Sequence, residues 1–205
     1  MKYIDLTHTF TQDMPVYPND PKPKFKQTSY INKNGYNEFQ IKTNMHVGTH
    51  MDAPLHMINK GKNLCEYPPE HFFGKGHLID ARNQKSIDAY LLKNNKISKG
   101  DIVFIMTGFY KKFNTPEYYK NFPVISDAFT KKIIKLGVKI IGMDTPSPDK
   151  EPFAIHKLLL KNDVLIIENL TNLELLLKHT QFNISALPAK FETEAAPIRV
   201  IAQIK

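Results

Sequence analysis

Three short apolar runs constrain the fold of this chain more than any other feature of its sequence. Residues 101–106, 138–142 and 164–167 are rich in Ile and Val and contain few polar side chains. A continuous apolar run, without regular alternation of polar residues, is typical of a strand that is covered on both faces. These runs therefore predict buried strands.

The segments around these runs favour helices and further strands. Ser126 is a suitable N-cap for a helix that stops at Gly137, and residues 155–160 have the pattern of a second helix. Shorter strands are predicted over residues 2–6 and 198–204. No repeat or low-complexity segment interrupts this mixture, which predicts an α/β fold with a mixed sheet.

Length and composition fit a single domain over residues 1–205, because 41% hydrophobic and 23% charged residues are ordinary values for a globular protein. Cys65 is the only cysteine, which fits a reducing compartment. The start of the chain reaches Asp5 before an apolar signal segment develops, and no apolar run approaches the ~18 residues that span a bilayer. We therefore expect a soluble cytoplasmic protein with no membrane partner.

The net charge of +8 raises the question of an acidic partner such as a nucleic acid. Arg82 and Arg199 are the only arginines, so scattered lysines carry nearly all of the positive charge. Recognition of phosphates and base edges favours the guanidinium fork of Arg. We therefore expect a solvated lysine-rich surface and no nucleic-acid partner.

Residues 38–46 alternate between apolar and polar side chains, with Phe39, Ile41 and Met45 in the apolar positions. This period of two predicts a strand with one buried face. The strand would end at His46, on the face opposite Met45.

The segment that follows is rich in groups that bind metal ions. Eleven residues around Gly48 and Pro54 contain three histidines and one carboxylate, namely His46, His50, His56 and Asp52. Imidazole nitrogens and carboxylate oxygens are ligands that zinc and similar divalent ions prefer. A single histidine is more often a surface or core polar residue than a ligand, but the clustering favours metal binding.

The complete pattern from His46 to His56, H-x-G-T-H-x-D-x-P-x-H, resembles the signature of the cyclase-like metal-dependent hydrolases. That family includes the bacterial kynurenine formamidases and the isatin hydrolases. Further resemblances lie in residues 4–8, 14–18, 107–109, 142–149 and 196–202. The resemblance covers essentially the whole chain, and it implies a single-domain swivelling β/β/α fold and a homodimer or higher homo-oligomer.

The resemblance also implies a set of metal ligands. His46, His50 and Asp52 would bind a first divalent ion, and Asp52 would bridge to a second. His156 and Glu168 would complete the ligand set, with Glu168 as a bridging carboxylate. Relatives of the isatin hydrolase type lack this glutamate and hold one metal. We therefore expect two zinc ions, with manganese as a possible substitute.

His56 corresponds to the general acid/base of the family, and the implied reaction is hydrolysis of a small-molecule amide. The best guess is an arylformamidase that converts N-formyl-L-kynurenine to L-kynurenine and formate. Tyr17 and Phe109 occupy positions where relatives carry Trp, which is absent from this chain. They are predicted either to contact the aryl ring or to be ordinary core or rim aromatics.

Two alternatives stay open at this point. The chain could hydrolyse a related cyclic amide or lactone, or it could be a non-catalytic module that binds metal or nucleic acid. His8 and Ser147 lie in segments that resemble the active-site walls of the family, and a structural role is equally expected for both. Cys65 has no context that would activate it as a nucleophile.

Overall fold

The computed structural model describes residues 1–204 and contains one eight-stranded sheet with two small two-stranded sheets. The strands are β1 (Lys2–Asp5), β2 (Lys24–Ser29), β3 (Glu38–Lys42), β4 (His50–Asp52), β5 (Phe73–Asp80), β6 (Ser86–Ile87), β7 (Ile102–Met106), β8 (Val124–Ile125), β9 (Ile140–Met143), β10 (Leu165–Glu168), β11 (Phe182–Pro188) and β12 (Ala195–Ile204). The α-helices are α1 (Ile31–Asn34), α2 (Asp127–Leu136) and α3 (Ala154–Lys161). Short 3-10 turns cover Pro54–His56, Leu64–Glu66, Pro69–Phe72, Ala89–Leu92, Phe109–Lys112 and Leu173–Lys178.

The large sheet is mixed and closes on itself. Its order is β1-β12-β11-β5-β7-β9-β10-β4, and β4 also pairs with the beginning of β12. Strands β5, β7, β9 and β10 are parallel neighbours, whereas β1, β4, β11 and β12 make antiparallel pairs. The sheet therefore forms a barrel-like ring, with β1 paired to the outer end of β12. This architecture confirms the predicted single-domain α/β fold with a mixed sheet.

The three apolar runs form the adjacent parallel strands β7, β9 and β10, and every residue in these strands is buried. One face of these strands packs inside the ring, where Phe104 and Leu165 join the larger core cluster. The other face packs against the helices, where Ile105 and Ile166 contribute to the second cluster. Burial on both faces explains why these strands lack polar alternation.

Two positions show how the local sequence sets this packing. Ser126 caps α2 by accepting a hydrogen bond from the Phe129 backbone N–H, and Gly137 ends the helix with a φ of 70°. Gly142 on β9 lies opposite Phe104 on β7, and a Cβ at Gly142 would come within 2.7 Å of the Phe104 ring. The glycine therefore leaves room for a large aromatic ring in the core.

The prediction for residues 38–46 is wrong in two respects. Strand β3 ends at Lys42, and none of its residues is buried, with Phe39 62% exposed. The reason is that β3 pairs only with β2, in a two-stranded ribbon that does not join the large sheet. His46 consequently lies in an irregular segment between β3 and β4 rather than at a strand end.

Within residues 1–204, no helix combines the length and apolar character that crossing a bilayer requires, and the longest, α2, has ten residues.

Candidate metal centre

Pairing between β4 and β10 positions the middle of the site. His50 on β4 lies opposite Glu168 on β10, and Asp52 lies opposite Ile166. His50 and Asp52 are two residues apart on one strand, so their side chains project from the same face. All three polar side chains are buried. Local strand geometry therefore brings one imidazole and two carboxylates together inside the protein.

Asp52 is the residue on which the histidines converge. Its Oδ1 lies 3.0 Å from His46 Nδ1 and 3.4 Å from His50 Nε2, and its Oδ2 lies 3.9 Å from His156 Nε2. Glu168 spans the other side of the cluster, with Oε2 3.3 Å from His50 Nε2 and Oε1 3.2 Å from His156 Nε2. The structure thus brings together all five predicted metal ligands.

The ligand atoms fall into two compact groups that share Asp52. His46, Asp52 and His56 offer one set of atoms, all within 4.8 Å of one another, and His50, Asp52 and Glu168 offer the other. This division differs from the predicted one, which paired His46 with His50 and left His56 free. A shared Asp52 agrees with its predicted bridging position, and His156 adjoins the second group through Glu168.

Contacts behind the cluster hold each histidine in orientation. His50 Nδ1 donates a hydrogen bond to the Gly48 carbonyl at 2.8 Å, and His156 Nδ1 lies 2.6 Å from Asp149 Oδ1. Because a carbonyl or carboxylate oxygen accepts, Nδ1 of each ring carries a proton, and the Nε2 atoms face Asp52 and Glu168. Outer partners of this kind set the tautomer of a metal-binding histidine.

Several polar atoms at the centre have no partner in the protein. Among the described residues, His46 Nε2, His50 Nε2 and both carboxylate oxygens of Asp52 are buried and accept or donate no hydrogen bond. The short distances from Asp52 to the histidines therefore lack hydrogen-bond alignment. Buried polar atoms without partners are costly and demand an explanation. A divalent ion explains them, since nitrogen and carboxylate oxygen donors suit such ions.

The electrostatics of the cluster favour positive charge. Burial opposes protonation of His50, but Asp52 and Glu168 outweigh it and raise the pKa of His50 to about 9. His156 behaves in the same way: burial is outweighed by its contacts with Asp149 and Glu168, and its pKa rises to about 10. The surrounding histidines hold the pKa of Asp52 below its ordinary value despite burial. Cations bound at these positions would replace the protons that the histidines otherwise retain.

His56 differs from these histidines. Burial is the main cause that lowers its pKa below the ordinary value. Its ring centroid lies 4.1 Å from that of His46 and 6.0 Å from that of His156. A neutral imidazole beside the cluster is suited either to accept a proton or to bind a metal ion.

A further hydrogen-bond network supports the cluster from behind. Asn169 Nδ2 donates to the Gly48 carbonyl at 2.8 Å, the same oxygen that orients His50. The Asn169 Oδ1 atom accepts a 2.7 Å hydrogen bond from the Tyr118 hydroxyl, and Thr49 Oγ1 donates to the Asn169 carbonyl at 2.7 Å. This network links the loop before β4 to the end of β10.

The cluster lies in a cavity of about 640 Å³ whose walls carry several aromatic side chains. Tyr17 lines this cavity, as predicted for a substrate contact, and its ring packs edge-to-face on Tyr119 at 5.7 Å. Phe153 also lines it and packs edge-to-face on His156. Phe153 has a φ of 59°, an uncommon value for an aromatic residue that is typical of strained functional sites.

The structure does not bring Phe109 to the cavity. Gly108 takes a φ of 78° and turns the chain, so that Phe109 begins a 3-10 turn. Its ring is 7% exposed and packs against Tyr118 and Phe122 in a separate aromatic cluster. Of the two readings for Phe109, the structure supports the core aromatic rather than the substrate contact.

The structure also places the residues whose roles the sequence left open. Ser147 lines the cavity, and its hydroxyl donates to the Asp149 carbonyl at 2.7 Å. His8 lies outside the cavity, with its ring stacked on Phe113 at 3.7 Å. Cys65 is partly buried in a 3-10 turn and does not line the cavity.

Some residues of the site were missed from the sequence. Asp149 contacts the ligand His156 directly, Asn169 donates to the Gly48 carbonyl that orients His50, and Glu194 lies 3.4 Å from His46 Nε2. Only Asn169 had a local signal, because an Asn directly after a buried strand is suited to a positive φ, and its φ is 58°. Glu194 depends on a contact between distant segments, whereas Asp149 lies only seven residues before its partner His156.

Comparison with known proteins identifies the family. A sequence model described as "Putative cyclase" matches residues 4–150, which is more than half of the chain. The chain belongs to the cyclase family. An uncharacterized protein of Methanocaldococcus jannaschii is 34% identical over 203 residues, covering 98% of this chain and 99% of that protein. A kynurenine formamidase of Bacillus mycoides is 26% identical over 208 residues, covering 98% of this chain and 96% of that enzyme.

Solved structures agree with this assignment. A potential metal-dependent hydrolase with cyclase activity superposes with a TM-score of 0.82 at 27% identity, covering 100% of this chain and 98% of that one. Isatin hydrolase A from Labrenzia aggregata has a TM-score of 0.89 at 21% identity, covering 99% and 93%, and shows the shared fold. The chain is therefore a cyclase-family hydrolase with a divalent-metal centre, and a non-catalytic binding module is not favoured.

Proposed function

We propose that this cyclase-family hydrolase is an arylformamidase that converts N-formyl-L-kynurenine and water to L-kynurenine and formate. The observation that carries the proposal is the placement of Glu168 opposite His50, which adds a second carboxylate to the cluster around Asp52. Kynurenine formamidases that match nearly the whole chain support the same substrate class.

The proposed cofactors are two zinc ions, with manganese as a substitute. His46, His50 and Asp52 would hold one ion, and Asp52, His156 and Glu168 the other. Bound zinc supplies Lewis acidity, which lowers the pKa of water from about 15.7 to roughly 7 and polarises a carbonyl group. The two carboxylates would offset the charge of the ions.

His56 would move the protons of this reaction. Its lowered pKa keeps the imidazole neutral at neutral pH, so it can accept a proton from the water that attacks the formyl carbon. As the C–N bond breaks, the imidazolium would return that proton to the departing aniline nitrogen. The products are formate and the free aryl amine, because the new C–O bond replaces the amide bond.

The cavity suits an aryl amide of this size. Its volume of about 640 Å³ lies within the ~300–1,000 Å³ that small-molecule sites commonly occupy. Tyr17, Tyr119 and Phe153 line it and offer ring faces and edges to an aryl group. We expect the substrate ring to lie among these side chains, with its formyl group directed at Asp52.

A panel assay on the metal-loaded protein tests the proposal. N-formylkynurenine, isatin and simple aryl esters are compared by kcat/KM, and metal content is measured in parallel by mass spectrometry. We expect formamide hydrolysis to exceed isatin ring opening and two zinc ions to bind per chain. Preferential hydrolysis of isatin would replace the arylformamidase assignment with the cyclic-amide alternative. Absence of bound metal after zinc reconstitution would overturn the mechanism.

The homodimer and the cytoplasmic location remain predictions that rest on the sequence. Light scattering on the purified chain measures the first, and fractionation of cells measures the second. A monomeric mass across the working concentration range would refute the dimer.

A further inference from the structure

Charged residues are distributed unevenly between the cavity and the rest of the protein. The chain contains 28 Lys and Arg residues, yet no Lys or Arg within residues 1–204 lines the cavity. Two carboxylates, Asp20 and Glu194, line it in addition to the carboxylates of the metal cluster. Outside the metal cluster, the only charged side chains that line the cavity within residues 1–204 are therefore carboxylates, in a protein with a net charge of +8.

Asp20 is held at the cavity by the segment between β1 and β2. Its backbone N–H donates to the Tyr17 carbonyl at 2.9 Å, which closes a turn beside the Tyr17 ring. Tyr119 lines the same cavity, and its pKa is raised by burial and, to a smaller extent, by Glu168 and Asp20. Among the described residues, Asp20 forms no ion pair with Lys or Arg.

Glu194 is held at the cavity by the start of β12. Its carbonyl accepts a 2.8 Å hydrogen bond from the Ala53 backbone N–H, directly before the pairing of β12 with β4. Its side chain is partly exposed and meets only His46, at 3.4 Å, and no Lys or Arg within residues 1–204 neutralises it. Both carboxylates therefore line the cavity without a Lys or Arg partner among the described residues.

The reacting end of a substrate has a separate location. The buried, unpartnered His50 Nε2 and Asp52 oxygens mark where the metal ions would be held, and the formyl group would lie beside them. The remainder of the substrate extends toward the open part of the cavity, where Tyr17, Asp20 and Glu194 are partly or fully exposed. Asp20 and Glu194 would then attract a positively charged tail and repel a negatively charged one.

We propose that, among the aryl formamides it hydrolyses, the cavity prefers those whose tail carries an ammonium group and no carboxylate. This inference rests on the proposed arylformamidase function and specifies its substrate class. An ammonium tail is attracted by Asp20 and Glu194, whereas a carboxylate tail meets like charge and finds no basic partner. In N-formyl-L-kynurenine, Asp20 and Glu194 attract the ammonium group of the tail but repel its carboxylate. The corresponding decarboxylated amine is therefore the better substrate.

Four substrates with the same 2-formamidophenyl ketone core test this preference. They are 2-formamidoacetophenone, which has no charged tail, N-formylkynuramine with an ammonium tail, 3-(2-formamidobenzoyl)propanoate with a carboxylate tail, and N-formyl-L-kynurenine with both. We expect kcat/KM of the ammonium compound to exceed that of the neutral one by about three- to tenfold, since partly exposed ion pairs each contribute roughly 1.4- to fivefold. The carboxylate compound should fall below the neutral one, and salt should reduce both differences.

Charge-neutralising variants identify the residues responsible. Asp20→Asn and Glu194→Gln should each lower the ratio of kcat/KM between the ammonium and the neutral substrate by about two- to fivefold. The ratio is used because Glu194 touches His46, so a general loss of turnover cancels. Asp13→Asn and Glu192→Gln are matched controls, because both residues are exposed and neither lines the cavity. These controls should leave the ratio unchanged.

A binding measurement separates this inference from the proposed function. Dissociation constants of the amine products kynuramine and 3-(2-aminobenzoyl)propanoate are measured by calorimetry on the zinc-loaded protein, and kynuramine should bind more tightly. Hydrolysis of the neutral formamide without preference for the ammonium tail would overturn the inference and leave the arylformamidase function intact. No hydrolysis of any formamide would overturn the proposed function, and equal binding of the two products would then overturn the charge preference as well.

Discussion

Glu168 and His50 lie directly opposite each other on antiparallel strands, with Glu168 Oε2 3.3 Å from His50 Nε2. Cross-strand pairing fixes this distance through the backbone and does not depend on a flexible loop. The two residues come from the part of the chain before β5 and from the part after β9, so the centre forms only when the sheet is complete. Metal binding should therefore be coupled to folding of the whole sheet.

The carboxylate of Glu168 is predicted to be required for the second metal ion. Glu168→Gln keeps the size of the side chain but removes its charge beside His50 and His156. We expect zinc content after dialysis to fall from two ions to one per chain. The affinity for the second ion should weaken by at least about 100-fold. Metal analysis after dialysis measures the stoichiometry, and competition with a chelator measures the affinity.

Glu70→Gln is the matched control, because Glu70 is exposed and lies outside the cavity. It should retain both ions and full turnover. Two tightly bound ions with normal turnover in Glu168→Gln would show that Glu168 is not a bridging ligand.

His56 is predicted to transfer protons and not to bind metal. The geometry permits both roles, since His56 lies in the same compact group as His46 and Asp52. His56→Ala should keep its zinc while kcat falls by about 100- to 10,000-fold, the usual contribution of a general acid/base. Metal content and kcat measured on the same preparation distinguish the two roles.

His179→Ala provides the comparison, because this histidine does not line the cavity. It should behave as the unmodified protein in both measurements. Loss of one zinc ion from His56→Ala would assign His56 to the ligands, and full activity would exclude it from proton transfer.

The buried strands and the core of the centre could be predicted from sequence because their signals are local. The apolar runs that became β7, β9 and β10 are buried on both faces. The spacing from His46 to Asp52 lies within one segment, so a single motif contains most of the ligands. Glu194 was missed because its contact with His46 joins segments far apart in the chain. Asp149 lies only seven residues before His156, but nothing in that spacing marked the two as partners.

The exposed ribbon of β2 and β3 shows what the sequence could not predict. The alternation in residues 38–46 correctly indicated a strand. Alternation shows that the two faces of a strand differ in polarity, but it does not show whether the apolar face is covered by the rest of the protein. Phe39 and Ile41 lie on the apolar face of β3, and that face has no cover within residues 1–204. Burial depends on whether a strand joins the main sheet, and pairing with β2 alone prevented this.

The Tyr118 hydroxyl is predicted to stabilise the fold and the metal centre together. Tyr118→Phe removes the 2.7 Å hydrogen bond to Asn169 Oδ1 and leaves that buried oxygen without its donor. The free energy of unfolding should fall by about 1–3 kcal/mol, the usual cost of an unsatisfied buried group. Urea denaturation measures this change.

The same variant should also bind zinc more weakly, because Asn169 donates to the carbonyl that orients His50. Tyr36→Phe is the control, since Tyr36 is 56% exposed. It should change neither quantity by more than about 0.5 kcal/mol. Equal stability and zinc affinity in Tyr118→Phe and the unmodified protein would contradict a supporting role for this network.

His8 should make the protein less stable in mild acid. Burial lowers the pKa of the His8 ring from 6.5 to about 4, so the folded chain keeps it neutral where the unfolded chain binds a proton. The unfolded state therefore gains a proton between pH 6.5 and about 4, and the free energy of unfolding falls as the pH falls through this window. The contribution is about 2 kcal/mol, reduced from the full linkage value because the ring is partly accessible to water.

His8→Phe isolates this effect from that of the other histidines. A phenyl ring can keep the stacking on Phe113, which the His8 ring makes at 3.7 Å and nearly parallel, but it cannot bind a proton. Asp5 and Arg199, which line the same small cavity and pair with each other, are retained in the variant. Urea unfolding at pH 7 and pH 4.5 should show a loss of stability that is smaller in His8→Phe by about 2 kcal/mol. Equal losses in the two proteins would mean that the folded state accommodates a protonated His8, and that burial of its ring does not depend on the neutral form.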